Sequence, residues 1–499
     1  MPRFDRNFLR QLLLLLGIAL VLGFAASGAR GLYETTEGRY AESAREMIET
    51  GTYLQPQLAH RPHLTKPPLT YWAIAGGMHV FGENEFGARA CNGLAFLISV
   101  FAVLGIGTLL WDRRTGLVAG FVYGTSLLSV VGAHSLSTDT LLTMFELLTV
   151  LAWLAAVKST DRKRERRFVF LAWVALGLGV LTKGPAALVP LAPILAYDFS
   201  ARRLFRLFSP AGIAVCVALG LGWYAAIVLR DPSTLEGMVN QQLTGRLFAN
   251  EYNRNDEWYQ PFRVYFPLVA FGCGPWMWFA VRAWKKHPEL RPLALVKGLR
   301  TPTPGPALLL LFWIVPPLAV FSLAQSRLPL YVLPLCAPVA LGAARGLVLV
   351  SEVPVRRAIQ VALPLAAVLL GGMLYAADLP HPNDMRALDR AITAAAGADA
   401  QVFSFEEEFL YGLRFYRHGA MARLSADPEA AYPDAPLDAS LAEGAKREVV
   451  YVTKAYRAPA LAERLKAHDV AFRRVDAGRW ALLVSEPAAA GGAAPVAAD

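Results

Sequence analysis

Residues 12–29 read LLLLLGIALVLGFAASGA, and Arg3, Arg6 and Arg10 precede them. A helix needs roughly 20 predominantly apolar residues to cross the hydrocarbon core of a bilayer, so this stretch predicts a membrane-spanning helix. The small residues at 25–29 also offer a weak site for signal-peptide cleavage, but the many later apolar runs favour an uncleaved first helix. The basic residues before it then predict a cytoplasmic N-terminus.

The rest of the chain repeats this pattern. Of its 499 residues, 55% are hydrophobic and only 18% are charged, and the mean hydropathy is +0.37. This composition excludes an ordinary soluble protein. We therefore predict a polytopic α-helical membrane protein with about 11 to 13 transmembrane helices. The apolar runs are centred near residues 16, 99, 125, 148, 175, 191, 219, 271, 314, 338 and 367.

The basic residues support this topology. A net charge of +10 could indicate a nucleic-acid partner, but the lysines and arginines form short clusters between apolar runs, as cytoplasmic loops do. We therefore expect no nucleic acid among the partners. The clusters assigned to the cytoplasm are Arg113–Arg114, Lys158–Arg167, Arg202–Arg206, Arg282–Arg300 and Arg356–Arg357. The alternate loops then face outward, and the apolar run 67–81 is interpreted as juxtamembrane or re-entrant.

The character of the chain changes after the last apolar run. Short strand-like runs at 401–405, 448–453 and 480–484 alternate with helical stretches at 385–396 and 458–467, which predicts a small α/β domain outside the membrane. We divide the chain into a transmembrane domain at 1–378, whose first outer loop is 28–88, and a periplasmic domain at 379–486. Residues 487–499, rich in Ala, Gly and Pro, are predicted to be a disordered tail.

The first outer loop carries the first group of candidate functional residues. Thr35 or Thr36 can cap a helix that holds Glu37 in its first turn, and Tyr40 lies on the apolar face of that helix. Such a helix suits the membrane interface, where a lipid phosphate lies. Glu34, Glu37 and Arg39 could instead form only the solvated face of this helix. Lys66 follows in the same loop, on a stiff turn before two prolines.

Three charged residues lie at the outer ends of later spans. Asp139 stands at the mouth of an apolar run, where a carboxylate is a functional candidate, although it could equally cap the helix. Lys183 lies on the outer side, where lysine is disfavoured, which points to an anionic partner; snorkelling to lipid headgroups is the alternative. Arg327 is a further candidate for binding phosphate.

Aromatic and charged residues are mixed in the long outer loop at 231–260. Arg246, Trp258 and Tyr259 are the candidates for substrate binding, since such a mixture is typical of sugar or headgroup recognition. An ordinary interfacial aromatic belt is the alternative interpretation.

Several short motifs together resemble a known family. They are Glu37-Gly38-Arg39-Tyr40-Ala41-Glu42, Lys66-Pro67-Pro68, Thr138-Asp139-Thr140, Leu181-Thr182-Lys183-Gly184-Pro185 and Ser326-Arg327-Leu328-Pro329. In this order, over roughly residues 8–345, they resemble the phospholipid-carrier-dependent glycosyltransferases of the GT-C superfamily, the protein-mannosyltransferase-like family, and especially the aminoarabinose transferases that modify lipid A.

The resemblance implies an inverting glycosyltransferase in the bacterial inner membrane, with its active site facing the periplasm. It moves a sugar from a polyprenyl-phosphate donor to a lipid, protein or glycan acceptor, and membrane lipids surround it. An acidic residue of the first outer loop activates the acceptor. The catalytic residues implied are Glu37, Glu34 and Asp139, and the residues that bind the donor phosphate are Lys66, Arg39, Tyr40, Lys183 and Arg327.

Two positions depart from the family pattern. Thr36 stands where the family usually has an aspartate, so Glu37 or Glu34 must supply the base. Thr65 stands where relatives often have a glutamate that can contact a metal. We therefore predict no metal ligand and no certain cofactor, with a divalent metal as the alternative.

Two other classes of protein share some of these features. A flippase or transporter of lipid-linked sugars also needs many spans and cationic groups, but it would want polar residues at mid-membrane depth and an internal repeat. Neither is visible in the sequence. A membrane anchor that only displays the C-terminal domain does not explain the polar first loop.

Overall fold

The computed structural model describes residues 6–200, 207–239, 257, 259–288, 305–324, 327–407, 410–425, 435–444 and 446–486. Contacts divide the chain into two compact units. The first, the membrane unit, comprises Met1–Ala29 and Glu46–Asp378. The second, the C-terminal unit, comprises Arg30–Arg45 and Leu379–Asp499. The predicted tail at 487–499 lies outside the described residues.

Helices make up most of the membrane unit. In chain order they are α1 (Arg6–Phe24), α2 (Thr36–Thr50, which begins in the C-terminal unit), α3 (Leu69–Phe81), α4 (Glu85–Leu110), α5 (Arg113–Gly124), α6 (Leu127–His134), α7 (Asp139–Lys158), α8 (Arg162–Lys183), α9 (Leu191–Ser200), α10 (Pro210–Arg230), α11 (Thr234–Val239), α12 (Gln260–Phe271), α13 (Met277–Lys286), α14 (Pro306–Leu323), α15 (Cys336–Val350) and α16 (Pro354–Asp378). A short hairpin pairs β1 (Gln57–Leu58) with β2 (Arg61–Pro62).

Eight helices in the described part of the chain are long and apolar enough to cross a membrane. Two bent pairs, α5 with α6 and α12 with α13, raise the number to ten if each pair is one span. The predicted polytopic helical class is therefore confirmed, and the count of 11 to 13 stays a prediction. The predicted run near residue 191 falls in α9, which has only 10 residues.

Local sequence explains where several of these helices begin. The side chains of Asn84, Asp112 and Asp161 accept hydrogen bonds from backbone N–H groups in the first turns of α4, α5 and α8.

A glycine allows α4 and α5 to pack closely. A Cβ at Gly116 of α5 would stand 2.5 Å from the carbonyl oxygen of Leu104 in α4, so these two helices approach each other at a distance that only glycine permits.

The C-terminal unit contains a five-stranded sheet of order β4-β3-β5-β7-β6. Its strands are β3 (Gln401–Phe405), β4 (Met421–Leu424), β5 (Val449–Lys454), β6 (Phe472–Ala477) and β7 (Trp480–Ser485). β3 pairs in parallel with β4 and β5, whereas β7 pairs antiparallel with β5 and β6. The helices of this unit are α17 (Met385–Ala396), α18 (Tyr411–Tyr416), α19 (Leu437–Glu443) and α20 (Ala458–Ala467).

Both faces of this sheet are covered, because side chains alternate along each strand. Val450 and Val452 of β5 pack with Ile392 of α17, whereas Val449 and Tyr451 pack with Leu461 of α20. The strands β3, β5 and β7 therefore read as nearly continuous apolar runs.

Residues 30–45 belong to the C-terminal unit, although more than 330 residues separate them from the rest of it. The backbone N–H of Leu32 donates to the hydroxyl of Tyr416 at 2.9 Å, and the N–H of Met385 donates to the carbonyl of Leu32 at 3.1 Å. Gly38 faces Gly412 so closely that a Cβ at Gly38 would stand 2.7 Å from the Cα of Gly412. The first outer loop therefore supplies part of the folded C-terminal unit.

We expect Gly38→Ala to weaken the attachment of residues 30–45 by about 1–3 kcal/mol, because the new methyl group meets backbone that cannot rotate away. Hydrogen exchange of the full-length protein measures this at the amides of Leu32 and Met385. Gly76→Ala is the matched control, since a Cβ at Gly76 meets nothing within 4 Å. Equal exchange rates at these amides in the two variants would contradict the expectation.

Candidate functional site

The centre of the candidate site in the membrane unit is a buried ion pair between Lys183 Nζ and Asp139 Oδ1. Asp139 is the first residue of α7 and Lys183 is the last residue of α8. A negative charge is stabilised at a helix N-terminus and a positive charge at a C-terminus. Both charges therefore match the dipoles of their own helices as well as each other.

The surrounding backbone holds this pair in place. The N–H of Asp139 donates to Ser137 Oγ at 3.2 Å, and the hydroxyl of Thr143 donates to the Asp139 carbonyl at 2.8 Å. Gly184 follows Lys183 with φ of +67°, a conformation that ends α8 abruptly and favours glycine. The Lys183 ammonium also lies 4.4 Å from the ring centroid of Tyr331, a cation–π contact.

Glu146 is a site residue that the sequence reasoning missed. It lies seven residues after Asp139 in α7, hence two turns away on the same helix face. It is only 2% exposed, and neither carboxylate oxygen makes a hydrogen bond within the described residues. It interacts electrostatically with Lys183 and with Asp139. Its position inside an apolar run was the available signal, because a carboxylate at membrane depth is costly.

Arg327 lies in the same neighbourhood. The residue is 5% exposed, and its guanidinium donates to the carbonyls of Glu257 at 3.0 Å and Ser322 at 3.1 Å. Tyr265, which is fully buried, interacts electrostatically with Arg327, Tyr331 and Asp139. The structure therefore brings together Asp139, Lys183 and Arg327, which the sequence predicted, with Tyr331, Tyr265 and Glu146.

Lys66 is buried, with 7% of its surface exposed. Leu64 and Leu69, on either side of it, pack against the cluster of Leu181, Trp223 and Ile227 from α8 and α10. Glu46 anchors the preceding hairpin, because its carboxylate accepts hydrogen bonds from the N–H groups of Ala59 at 2.8 Å and His60 at 3.1 Å. The loop that carries Lys66 is thus held by packing at one end and by a buried carboxylate at the other.

The other predicted residues of the first outer loop belong to the C-terminal unit. The Glu37 carboxylate binds the Arg30 guanidinium through both oxygens, at 2.6 and 2.8 Å, and accepts a third hydrogen bond from the N–H of Tyr33 at 3.1 Å. Arg30 also lies 4.2 Å from the ring centroid of Tyr33. These contacts organise the turn that leads into α2.

Glu34 is buried in the same segment. One carboxylate oxygen accepts a hydrogen bond from the N–H of Gly412 at 2.7 Å, and the other makes no hydrogen bond within the described residues. Burial raises the pKa of the Glu34 carboxyl to about 7, although the N–H of Gly412 acts in the opposite direction. Glu34 and Glu37 are 8% and 6% exposed, so the alternative that they form a solvated helix face is wrong.

Of the remaining predicted residues, some are more exposed to solvent and others lie outside the described residues. The Arg39 guanidinium, which is half-buried, lies 5.7 Å from the ring centroid of the buried Tyr40. Tyr259 is 40% exposed at the start of α12. Arg246 and Trp258 lie outside the described residues. Across the described ranges, no three His, Cys, Asp or Glu side chains are grouped closely enough to hold a metal ion.

Comparison with protein families and curated proteins gives two likenesses. Residues 65–223, which include Lys66, Asp139 and Lys183, match the family model described as dolichyl-phosphate-mannose-protein mannosyltransferase. The chain is also 30% identical over 319 residues to the undecaprenyl phosphate-alpha-4-amino-4-deoxy-L-arabinose arabinosyl transferase of Yersinia enterocolitica. That alignment covers 63% of this chain and 55% of the relative, so the chain spans about half the length of the curated relatives that it matches.

Solved structures show the same fold. ArnT from Cupriavidus metallidurans, bound to undecaprenyl phosphate, has a TM-score of 0.77 and 18% identity, with 97% of this chain and 99% of that chain covered. The archaeal oligosaccharyltransferase AglB from Archaeoglobus fulgidus, in complex with an inhibitory peptide and a dolichol-phosphate, has a TM-score of 0.54 and 12% identity, with 95% and 74% covered. The predicted GT-C-like fold, the likeness to aminoarabinose transferases and the multi-pass membrane localisation are confirmed.

We expect Lys183→Met to destabilise the membrane unit more than Asp139→Asn does. Removing the Lys183 ammonium leaves the carboxylates of Asp139 and Glu146 buried without this cation. Removing the charge of Asp139 leaves the Lys183 ammonium with the Glu146 carboxylate nearby. Breaking one side of a buried pair typically costs about 3–5 kcal/mol. Thermal unfolding midpoints in detergent micelles measure both losses.

The double variant Asp139→Asn with Lys183→Met provides the control. It should be less destabilised than the sum of the two single variants, because neighbours in one ion pair are not additive. Additive losses would indicate that the two side chains are not coupled.

The pKa of Glu34 predicts a pH-dependent stability of the C-terminal unit. The folded state keeps the proton up to about pH 7, whereas an unfolded glutamate releases it near pH 4.3. Stability therefore falls as the pH rises between these two values, by an amount on the order of 3 kcal/mol.

Glu34→Gln should lack this pH dependence. Hydrogen exchange of β3 and β5 amides in the full-length protein, corrected for intrinsic rates at pH 5 and pH 8, measures it. The wild type should lose protection relative to the variant at pH 8. A constant difference between the two proteins at both pH values would contradict the expectation.

Proposed function

We propose that this chain is an inverting GT-C glycosyltransferase that moves 4-amino-4-deoxy-L-arabinose from undecaprenyl phosphate to a lipid A-like acceptor. It lies in the bacterial inner membrane and acts on the periplasmic side. The observation that carries the proposal is the buried cluster of Asp139, Lys183 and Tyr331, which lies at the ends of α7 and α8 that the charge pattern assigns to the outside. Asp139 and Lys183 fall within the region that matches the mannosyltransferase family model.

Cationic side chains of the membrane unit suit the donor phosphate. When the glycosidic bond breaks, its electron pair stays on the phosphate oxygen, and negative charge develops there. Lys183, Lys66 and Arg327 are all more than nine-tenths buried, and fixed charges in a site without bulk water stabilise such a leaving group strongly. Asp139 has the role of a positioning carboxylate, since it orients the Lys183 ammonium.

Tyr331 and Glu146 set the charge balance around Lys183. The ring of Tyr331 offers a weakly negative face to the ammonium without neutralising it. Glu146 lies deeper on α7 and also attracts the ammonium. Binding of a phosphate requires Lys183 to exchange part of its contact with Asp139 for the ligand, and Tyr331 stabilises the cation during that exchange.

The acceptor must lose a proton while its hydroxyl oxygen attacks the anomeric carbon on the side opposite the phosphate, so that the configuration inverts. The base comes from the first outer loop, where Thr36 replaces the usual aspartate. We assign this role to Glu34, because one of its oxygens makes no hydrogen bond within the described residues and its pKa is about 7. Glu37, bound through both oxygens to Arg30, has the role of holding the loop.

Arg39 and Tyr40 remain proposed donor-binding residues, and Arg246, Trp258 and Tyr259 remain proposed substrate-binding residues. A divalent metal is not part of the proposal. The relatives with printed activities are transferases, which does not favour the alternative of a transporter for lipid-linked sugars.

The experiment compares lipid A from the wild-type strain and from a strain that lacks the gene, by mass spectrometry. Loss of the aminopentose adduct is expected, with restoration by the wild-type gene. Glu34→Gln should reduce transfer about 10²–10⁴-fold, the usual effect of removing a general base. Glu37→Gln should reduce it less, and the control Lys286→Ala, an exposed residue at the end of α13, should restore the adduct fully.

Two results would contradict the proposal in different ways. Unchanged lipid A together with the loss of another glycan in the deletion strain would show that the acceptor is that glycan and not lipid A. If Glu34→Gln transferred the sugar as the wild type does and Glu37→Gln transferred it much more slowly, the general base would be Glu37 and not Glu34.

A further inference from the structure

A second site lies in the membrane unit, away from the Asp139–Lys183 pair. An apolar cavity of about 380 Å³ opens between α7, α8, α9 and the start of α10. Trp153 of α7, Ala172 and Trp173 of α8, Leu195 of α9 and Phe208 line it. This volume is in the range of natural small-molecule pockets, roughly 300–1,000 Å³.

The cavity lies toward the cytoplasmic end of α7. Trp153 stands 14 residues after Asp139 and 5 residues before Lys158, the last residue of the helix. At 1.5 Å per residue, Trp153 is about 21 Å from Asp139 along the axis. The loop after Lys158 is the basic loop that the charge pattern assigns to the cytoplasm. The cavity is therefore separate from the site proposed for the donor phosphate.

The walls of the cavity present hydrocarbon. The indole N–H of Trp153 donates to Asp198 Oδ2 at 3.1 Å, and the indole N–H of Trp173 donates to the carbonyl of Leu207 at 3.0 Å. Both polar atoms are thus engaged, and the rings offer apolar surface. At the rim, Leu195 and Phe208 are 46% and 70% exposed, so the cavity opens outward to the surroundings of these helices.

A cluster of positive charge begins the helix that forms one wall. Arg162, Lys163, Arg164, Arg166 and Arg167 are all exposed at the start of α8, with Asp161 and Glu165 as the only acidic neighbours in that stretch. Arg166 stands 7 residues before Trp173, and Arg162 stands 11 residues before Trp173. These spacings are close to two and three turns, so both arginines share the helix face of Trp173. Arg166 lies about 10 Å from Trp173 along the axis.

This combination fits one kind of ligand. A glycerophospholipid carries an anionic phosphate a short distance from its acyl chains, and basic clusters just cytoplasmic of a span attract anionic headgroups at about 1 kcal/mol per residue. We infer that the cavity and the start of α8 form a binding site for an anionic glycerophospholipid of the cytoplasmic leaflet. One acyl chain enters the cavity between Trp153 and Trp173, and Arg162 and Arg166 bind the phosphate. The inference does not rest on the proposed function.

The test uses the full-length protein, purified from nanodiscs of mixed phosphatidylglycerol and phosphatidylethanolamine, with bound lipid measured by native mass spectrometry. The wild type should retain phosphatidylglycerol preferentially. Arg162→Gln with Arg166→Gln should lower that retention about 30-fold, as expected for a loss of about 2 kcal/mol from two basic residues. The matched control is Arg113→Gln with Arg114→Gln, an exposed basic pair at the start of α5 that lines no part of the cavity, and it should retain lipid as the wild type does.

A second variant tests the cavity itself. Ala172→Phe fills the space between the two tryptophans and should release phosphatidylglycerol while the charges at the start of α8 remain. Equal retention by the arginine variant and its control would overturn the inference. Displacement of undecaprenyl phosphate, rather than phosphatidylglycerol, by Ala172→Phe would also overturn it, because the cavity would then hold the carrier chain. If Ala172→Phe does not fold, the arginine variants still decide the outcome.

Discussion

The ion pair between Asp139 and Lys183 is the constraint on which the membrane unit is organised. Each charge alone would be costly at this depth, because few surrounding groups can solvate it. Together, at the opposed ends of α7 and α8, they are stabilised by each other and by the helix dipoles. The two helices can therefore end at the same level, and the groups around them, Tyr331, Tyr265 and Arg327, take positions relative to a fixed pair of charges.

Much of this arrangement could be predicted from the sequence, and the limits have physical causes. Asp139 and Lys183 were recognisable because a charge at the end of an apolar run is costly without a role. Their pairing was not, because 44 residues separate them and nothing local reports which helix ends meet. The position of Glu146 inside an apolar run was a signal, but its proximity to Lys183 depends on helix packing, which the sequence does not report. The helical class followed from composition, whereas the short α9 did not, because hydropathy alone does not report where a helix stops.

The first outer loop differs most from its interpretation as an interfacial helix. Its apolar face was predicted correctly, since Tyr40 is buried. Its charged residues are placed at the membrane interface by the sequence reasoning, yet Glu42 is fully buried, bound to Arg45 and within 3.3 Å of Arg414. Arg45 is a local partner, three residues along the same helix, but no local pattern could reveal the contact with Arg414, which comes from the end of the chain. The same segment therefore carries a proposed catalytic residue, Glu34, and the contacts that complete a separate folded unit.

Because residues 30–45 form part of the C-terminal unit, this unit cannot fold until the end of the chain has been synthesised. Residues 30–45 emerge first, but the sheet and helices with which they fold follow roughly 330 residues later. At synthesis rates of about 5–20 residues per second, the segment waits on the order of 20 to 70 s for its partners. During this interval its carboxylates and arginines, which are buried in the folded unit, are exposed to solvent. The C-terminal unit can therefore acquire its native structure only after the chain that follows all the membrane helices has been synthesised.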